Sequence, residues 1–294
     1  EVVVSRLDHD SNVRPWIQAA EAVGATVRWA EIDLETTELT VAAVEAVLSP
    51  KTKLVAVTGA GNTIGTRPDL KAIGVAVHKV GALFYVDGVH LTPHAAISAK
   101  EIGADFFGLS FYKLMGPHCA ALAASPALLE TLNNDKLLPA TSAVPERFEF
   151  GTLPYELMAG CIAAIDFIAE MAPGNGSTRR EKIVNSMNAL EKYEDGLLEY
   201  LESSVKALPG VVMYGHAKHR TPTIYFSCAG HSSADIYAAM ASKGVTLPAS
   251  NFYALEVSRK LGLGDSGALR AGLAPYSIKD DVDRLVGGLK EILA

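Results

Sequence analysis

Residues 82–113, ALFYVDGVHLTPHAAISAKEIGADFFGLSFYK, decide the fold of this 294-residue chain. Two apolar runs, ALFYV and FFGL, each end in polar residues, and a short helical segment separates them. This is the strand–helix–strand pattern of a parallel pair whose strands are covered by helices. Asp87 follows the first strand and Lys113 follows the second, so we expect both side chains at the same edge of one sheet.

The same alternation continues on the amino-terminal side of this stretch. Strands are predicted at the start of the chain, in TVRWAEID (26–33) and in TKLVAVTG (52–59). Helices are predicted at 12–24, where Pro15 suits the first turn and Gly24 the end, and at 40–49, 67–81 and 98–102. We therefore predict an α/β fold built on a mainly parallel sheet flanked by helices.

The composition changes at residues 171–180, MAPGNGSTRR, which have the Pro, Gly and Ser content of a linker. A long amphipathic helix follows, and then short strands in VVMYG, TPTIYFSC and ALRAGLA alternate with helices at 232–244 and 277–293. We predict a large domain at 1–172 and a smaller C-terminal α+β domain at 173–294. The chain opens inside a strand without Met, so we also expect an N-terminal portion to precede it.

Composition and charge exclude several classes of protein. Apolar residues make up 49% of the chain, which argues against disorder, and the net charge of −7 argues against a basic nucleic-acid-binding surface. We expect no membrane association, because no apolar run reaches the length of a membrane span. The three cysteines are far apart in the sequence, which argues against a disulfide scaffold and favours a cytoplasmic location. His216 and His219 have no carboxylate or thiol beside them, so we predict no metal site there.

Asp87 and Lys113 together suggest a specific cofactor. A carboxylate directly after a buried strand is costly unless a positive group faces it, and a lysine between aromatic residues is expected to have a lowered pKa and a nucleophilic amine. Enzymes that use pyridoxal 5′-phosphate (PLP) bind the cofactor aldehyde with a lysine and its pyridine nitrogen with an acid. The pair alone leaves other readings open, namely a turn aspartate and a solvated lysine.

Residues 85–117, YVDGVHLTPHAAISAKEIGADFFGLSFYKLMGP, resemble the cofactor segment of class V aminotransferases, and in particular their cysteine-desulfurase-like group. Four further stretches are similar to motifs of that family and follow in the family's order: LDHDSNVRPW (7–16), TGAGNTIGT (58–66), RFEFGTLPYELMAG (147–160) and ALRAGLAPYSIKDDVDRLV (268–286). The resemblance implies PLP fold type I, a mainly parallel sheet flanked by helices and a smaller C-terminal α+β domain. The family's own N-terminal segment, which helps to hold the cofactor phosphate, has no counterpart here.

The resemblance also implies the groups that hold the cofactor. Lys113 would form the aldimine and move the Cα proton, Asp87 would pair with the pyridinium nitrogen, and His9 would stack on the ring. The remaining cofactor contacts would come from Asn62 and His90 near the phenolic oxygen, and from Ser110 and Tyr112 near the phosphate.

Two more residues are implied on the substrate and partner sides. Arg270 would bind the α-carboxylate of a small amino-acid substrate, for which a planar guanidinium is well suited. Thr152 would reach the cofactor phosphate of a second subunit, which implies a homodimer. Tyr112 stands where desulfurases carry His, and this departure puts its phosphate role in question.

One departure from the family bears on the reaction. Cysteine desulfurases take sulfur onto a loop cysteine that precedes the substrate arginine, whereas residues 247–270, LPASNFYALEVSRKLGLGDSGALR, contain no cysteine. Phe252 and Tyr253 occupy that neighbourhood. The sequence predicts that Cys119, Cys161 and Cys228 are small buried residues rather than nucleophiles.

The first hypothesis is therefore a PLP-dependent enzyme that resembles cysteine desulfurases and selenocysteine lyases but lacks the usual thiol. Transamination and epimerisation, which also begin at Cα, stay open within it. The second hypothesis is a non-catalytic relative that keeps the fold and acts as a dimeric binding protein. Retention of Lys113, Asp87 and Arg270 together favours an enzyme, because a scaffold needs none of them.

Overall fold

The larger sheet has six strands in the order β2–β1–β3–β4–β5–β6 in the computed structural model, which describes residues 1–172, 174 and 176–294. Neighbours from β2 to β5 are parallel, and β6 is antiparallel to β5. The predicted mainly parallel α/β sheet is confirmed. Its strands are β1 (Val2–Ser5), β2 (Val27–Ala30), β3 (Leu54–Thr58), β4 (Leu83–Asp87), β5 (Phe106–Ser110) and β6 (Ala120–Ala124).

Helices on this sheet begin and end where the sequence signals place them. Pro15 occupies the first turn of the first helix, and Gly24 follows its end with φ 68°. Side chains cap the next four helices; for example, Asp69 accepts the Ala72 N–H, and Ser98 accepts the Glu101 N–H. The helices before the linker are α1 (Arg14–Ala22), α2 (Val41–Glu45), α3 (Leu70–Lys79), α4 (Ala99–Ile102), α5 (Pro126–Thr131) and α6 (Tyr155–Glu170).

A second, antiparallel sheet follows the linker, with strands in the order β7–β8–β10–β9. Its strands are β7 (Val211–Tyr214), β8 (Thr223–Cys228), β9 (Ala249–Ser250) and β10 (Ala268–Gly272). The helices here are α7 (Arg179–Lys206), α8 (Ser233–Ser242), α9 (Leu255–Lys260) and α10 (Lys279–Leu293). A reciprocal capping box between Thr178 and Glu181 starts α7, the 28-residue helix.

Among the described residues, the two larger apolar cores pack on the two sheets, and a third, smaller one joins α6 and α7. The first buries residues of β1, β3 and β4 together with α3, and the second packs α7, α8 and α10 on β8 and β10. Tyr225 of β8 belongs to the first core, so the smaller sheet contributes directly to the packing of the larger unit. Among the residues described, no helix is both long enough and apolar enough to cross a membrane.

The structure corrects the prediction for Cys119. This residue precedes β6, whose sequence AALAA is as apolar as that of a core strand, but β6 lies at the sheet edge with most of its residues exposed. Cys119 is accordingly only half-buried, whereas Cys161 and Cys228 are buried as predicted. In the predicted linker, Pro173 and Asn175 lie outside the described residues. The division into domains at 172/173 stays a prediction.

Candidate active site

The carboxyl ends of β1, β3, β4 and β5 surround a cavity of about 160 Å³. Parallel pairing brings these ends together, because Thr58 lies opposite Asp87 and Asp87 lies opposite Gly108 in the strand register. The cavity wall contains seven of the nine residues predicted from the sequence: His9, Asn62, Asp87, His90, Ser110, Tyr112 and Lys113. Thr152 and Arg270 are outside this wall.

Asp87 is a buried carboxylate at the end of β4, 9% exposed. Gly88 allows the turn that follows, because a Cβ at this position would come within 2.1 Å of the Phe107 ring. One carboxylate oxygen accepts the Val89 N–H at 2.9 Å, and no Lys, Arg or His among the described residues forms an ion pair with Asp87. Burial raises the pKa of Asp87, and the charges of His9 and Lys113 oppose that rise.

Lys113 ends a short 3₁₀ turn, Phe111–Lys113, directly after β5. The apolar setting expected from its aromatic neighbours is wrong: Lys113 and Tyr112 are exposed and Phe111 is half-buried, because the turn faces the cavity mouth instead of the core. The Lys113 Nζ lies 5.5 Å from the centroid of the Tyr112 ring. Tyr112 in turn stacks on His118, with centroids 5.4 Å apart and planes at 6°.

His9 follows β1 on the opposite wall. Its Nδ1 accepts the Ser11 N–H at 3.1 Å, which leaves the proton of the neutral ring on Nε2. The Tyr253 ring lies 5.4 Å from the His9 ring at a tilt of 32°. Burial lowers the pKa of His9, and the Lys113 charge lowers it further, while the Asp87 charge opposes the shift.

Asn62 and His90 form the part of the wall nearest the smaller sheet. The Asn62 Nδ2 donates to the Phe252 carbonyl at 2.8 Å, while its Oδ1 is buried without a hydrogen-bond partner among the described residues. The His90 Nε2 lies 2.9 Å from the Thr221 Oγ1. Burial places the pKa of His90 well below the ordinary histidine value, helped by the charges of His94 and Arg270.

A buried pair behind His90 was not found from the sequence. His94 packs edge-on against His90, with ring centroids 5.4 Å apart, and its Nδ1 lies 2.9 Å from the Glu194 carboxylate. Glu194 is on α7, 100 residues away, and is 1% exposed. No local sequence signal predicts a contact over that separation, although a Glu on the buried face of an amphipathic helix indicates that it has a partner.

A second buried carboxylate was also missed. Asp8 is 1% exposed beside the cavity and accepts hydrogen bonds from the Ser5 hydroxyl and, at 2.7 Å, from the Asn12 Nδ2. Burial raises the pKa of Asp8 well above the ordinary value, and the nearby Asp87 charge raises it further. Asp8 thus ties the turn that carries His9 to the end of β1.

Arg270 approaches the cavity from β10, through its contact with Asn62. Its Nη1 donates to the Asn62 carbonyl at 2.8 Å, and its guanidinium carbon lies 4.0 Å from the centroid of the Phe252 ring. Burial lowers the pKa of Arg270 from that of a free guanidinium. Thr152 is exposed in the segment before α6, between the exposed side chains of Phe150 and Tyr155, and touches none of these groups.

The comparisons with known proteins agree on one family. The family model described as aminotransferase class-V matches residues 1–285. This chain belongs to the class V aminotransferase family. An uncharacterized protein of Mycobacterium tuberculosis is 33% identical over 99% of this chain and 73% of its own length. An aminotransferase-like protein of Gibberella zeae is 32% identical over 100% of this chain and 72% of its own length.

Among solved structures, the cysteine desulfurase CsdA of Escherichia coli superimposes with a TM-score of 0.87 at 25% identity, over 100% of this chain and 72% of that one. This class V chain therefore has the cysteine desulfurase fold, which confirms the fold expected from the resemblance. Class V aminotransferases and cysteine desulfurases are enzymes that use PLP.

The residues at the cavity fit this cofactor. Asp87 is a buried carboxylate without a cation, which suits the protonated pyridine nitrogen, and Lys113 is a primary amine at the same cavity. Asn62 has an acceptor, Oδ1, and a second Nδ2 proton that make no hydrogen bond among the described residues and are available to a ligand in the cavity. Ser110 and Tyr112 offer hydroxyl donors for a phosphate.

Proposed function

We propose that this chain catalyses a reaction at the Cα of a small amino acid, with Lys113 as the residue that carries PLP covalently. The observation that carries this proposal is the placement of Lys113 and Asp87 on one cavity together with His9 and Asn62. PLP, when bound, withdraws electrons from a carbanion at the substrate's Cα. A purely structural binding protein would have no use for a buried, unpaired acid on the same cavity wall as an amine.

The chain's own groups divide the remaining tasks. Asp87 would keep a proton on the pyridine nitrogen, and the His9 ring, held by Ser11 and Tyr253, would cover one face of the cofactor. The Lys113 amine, which lies on the same cavity wall, would serve as the base for the Cα proton. Arg270 would bind the substrate α-carboxylate through the donors that Asn62 leaves free.

We further propose that sulfur transfer through a loop persulfide is not the reaction. The segment 247–270 has no cysteine, and in its place Phe252 packs against Arg270 and Tyr253 against His9. Burial raises the pKa of the Cys161 and Cys228 thiols, which lowers their thiolate fraction at neutral pH. Transamination, epimerisation and β-elimination share the step at Cα and remain the candidate outcomes.

We also propose a homodimer in which Thr152 reaches the cofactor phosphate of the second copy. The segment around Thr152 belongs to a large exposed apolar surface, which we call the α6 face, and such surfaces mark protein interfaces in soluble proteins. Its exposed members are Phe150, before the helix, and Tyr155, Met158 and Ile162, which share one side of α6.

Borohydride trapping tests the role of Lys113. The purified protein should absorb visible light, and borohydride should remove that band and leave a reduced phosphopyridoxyl group on the peptide that contains Lys113, as detected by mass spectrometry. Lys113→Ala should lose the adduct and the activity, while Lys100→Ala, at an exposed position on α4, should keep both. An adduct on another lysine, or a Lys113→Ala variant as active as the parent, would refute the assignment.

Incubation with an amino-acid panel separates the possible outcomes. With L-cysteine we expect little or no sulfide, because no thiol stands in the substrate loop. Release of α-keto acid, of a racemic product or of an eliminated group identifies the reaction. Rapid sulfide release that stops when one of Cys119, Cys161 or Cys228 is changed to Ala would contradict the proposal that persulfide transfer is absent.

A further inference from the structure

Asn62, Phe252 and Arg270 form a closed set of contacts from three separate segments. The Asn62 side chain donates to the Phe252 carbonyl at 2.8 Å, and the Arg270 Nη1 donates to the Asn62 carbonyl at 2.8 Å. The guanidinium carbon of Arg270 lies 4.0 Å from the centroid of the Phe252 ring. Each of the three residues thus contacts the other two, and Asn62 also lines the cofactor cavity.

The backbone at Phe252 is held in a strained conformation. Phe252 and Tyr253 have φ values of 51° and 60°, a region that residues with a Cβ avoid. Ser250 Oγ accepts the Phe252 N–H at 3.1 Å, and Asn251 Oδ1 accepts the Tyr253 N–H at 2.8 Å. Two consecutive strained residues cost on the order of 1–3 kcal/mol each, and they persist only where the surroundings fix them, which is common at functional sites.

These contacts fix the orientation of the Arg270 guanidinium but leave most of its N–H donors without an acceptor among the described residues. Within residues 1–172, 174 and 176–294, its guanidinium makes one hydrogen bond and no ion pair. The Phe252 ring covers one face of the guanidinium, so the group cannot rotate without losing the cation–π contact. The remaining N–H donors lie in the guanidinium plane, where a planar carboxylate binds in a bidentate manner.

We propose that Phe252 is a positioning residue that sets the plane of the Arg270 guanidinium for the substrate carboxylate and links that site to Asn62 in the cofactor cavity. The inference rests on the proposed function, because it requires a carboxylate-bearing substrate beside PLP. It predicts that the aromatic ring at 252 governs selectivity for carboxylates but is not needed for cofactor binding.

Two oxyamines measure this selectivity without knowledge of the substrate. Aminooxyacetate carries a carboxylate and O-methylhydroxylamine does not, and both displace Lys113 from the cofactor aldehyde, with the oxyamine nitrogen forming the new C=N bond. The loss of the visible band gives both rates. In the parent we expect aminooxyacetate to react at least tenfold faster, as a charge-assisted bond to Arg270 implies. In Phe252→Leu this preference should fall on the order of tenfold, while the rate with O-methylhydroxylamine stays nearly unchanged.

The neighbouring aromatic residue supplies the matched control. Tyr253→Leu alters the same strained turn without touching Arg270, and it should retain the preference, as should Phe252→Tyr, which keeps the ring. If Phe252→Leu does not load with PLP, Phe252→Met, of similar volume and without a ring, gives the same comparison. A preference unchanged in Phe252→Leu, or a parental preference near one, overturns the inference. A parent that reacts with neither oxyamine, and shows no borohydride adduct on Lys113, overturns the proposed function itself.

Discussion

Asp87 is a buried carboxylate at the cavity, and a positively charged ligand would offset the free-energy cost of its burial. Asp87 has one backbone N–H donor and no cation among the described residues, and the second buried acid, Asp8, is beside it. Burial of the Asp87 carboxylate destabilises the folded chain, since the lost water is replaced by only one hydrogen bond, from the Val89 N–H. Burial of Asp87 at the site therefore lowers the free energy of unfolding of the cofactor-free protein.

Asp87→Asn should therefore reduce activity and raise the stability of the cofactor-free protein. The amide cannot keep the pyridine nitrogen protonated, so turnover should fall by at least about 100-fold, comparable to the loss of a major electrostatic contact. At pH 7 the free energy of unfolding of the cofactor-free variant should rise by roughly 1–3 kcal/mol. Steady-state kinetics of the PLP-loaded proteins measures the first effect, and urea unfolding of the cofactor-stripped proteins measures the second.

The sign of the pH dependence follows from the raised pKa of Asp87. Folded protein holds a proton that the unfolded chain releases, so the parent is relatively most stable below the ordinary carboxylate pKa and loses stability as pH rises through the raised value. The advantage of Asp87→Asn should accordingly shrink below about pH 4. Asp135→Asn, at an exposed loop position, should keep the parent's dependence of the unfolding free energy on pH. An Asp87→Asn variant with that same pH dependence would contradict the prediction.

For single residues, the sequence predicted which side chains lie at the cavity but not which contacts hold them in place. Asp87, Lys113 and Asn62 follow apolar strands, and parallel pairing alone brings such residues to one edge. The support from Phe252 crosses 190 residues to reach Asn62, and no local pattern encodes that contact. The exposed Lys113 differs from the apolar setting expected, because a 3₁₀ turn carries its side chain beyond the core.

Among the elements, α7 connects the smaller sheet to the active-site wall through side chains on its buried face. Its Glu194 pairs with His94, which packs on His90 of the cavity, and its Leu197 and Leu201 pack in the second core. The helix thus connects the packing of both sheets. Its start could be read from the Thr178–Glu181 capping box, but its contact with the cavity could not.

Breaking the His94–Glu194 pair should cost far more than breaking an exposed pair of the same length. His94→Ala leaves the Glu194 carboxylate buried without its partner and should lower the free energy of unfolding by roughly 3–5 kcal/mol. His78→Ala removes a 2.9 Å contact with Asp105 at a far more exposed site and should cost less than about 1 kcal/mol. Urea midpoints measure both; equal losses would show that burial of the pair is energetically unimportant.

The turn after β4 should tolerate no side chain at Gly88. A Cβ there overlaps the Phe107 ring at 2.1 Å, so Gly88→Ala should destabilise the protein by about 1–3 kcal/mol or more and disturb the cavity. Gly196→Ala, in the exposed middle of α7 where a Cβ meets nothing within 4 Å, should stabilise by about 0.5–1 kcal/mol. The two variants should shift the thermal unfolding midpoint in opposite directions. A Gly88→Ala variant as stable as the parent would show that contact with the Phe107 ring does not exclude a side chain at position 88.

For the whole molecule, the largest unexplained feature is the α6 face. Tyr155 and Ile162 are more than half exposed on α6, and Phe150 is 84% exposed just before this helix. A soluble chain seldom leaves this much apolar surface uncovered. The proposed homodimer accounts for it and would bring Thr152 towards a second cavity.

A charge placed on the α6 face should separate the two copies. Ile162→Glu should shift the protein from dimer to monomer in size-exclusion chromatography with light scattering, since burying an unpaired carboxylate costs several kcal/mol. The monomer should also bind PLP more weakly, because it lacks the partner's Thr152. Val75→Glu, on an exposed apolar residue of α3, should leave the mass unchanged. A parent that is monomeric at all concentrations would rule out the proposed dimer.

The overall architecture was the most predictable level, because alternating strands and helices leave few arrangements of a parallel sheet. The exposure of the edge strand β6 could not be predicted, because its sequence, AALAA, is as apolar as that of a core strand. Position in a sheet depends on strand order, which hydrophobicity alone does not encode. The domain boundary and the cytoplasmic location stay predictions.

The exposure of Lys113 on its 3₁₀ turn has a consequence for how the holoenzyme is assembled. An amine that water reaches freely can be captured by a dissolved aldehyde after the polypeptide has folded, in an ordinary second-order encounter. Reconstitution of stripped protein would then need only mixing with the vitamin-derived aldehyde, with a rate proportional to its concentration and no refolding step.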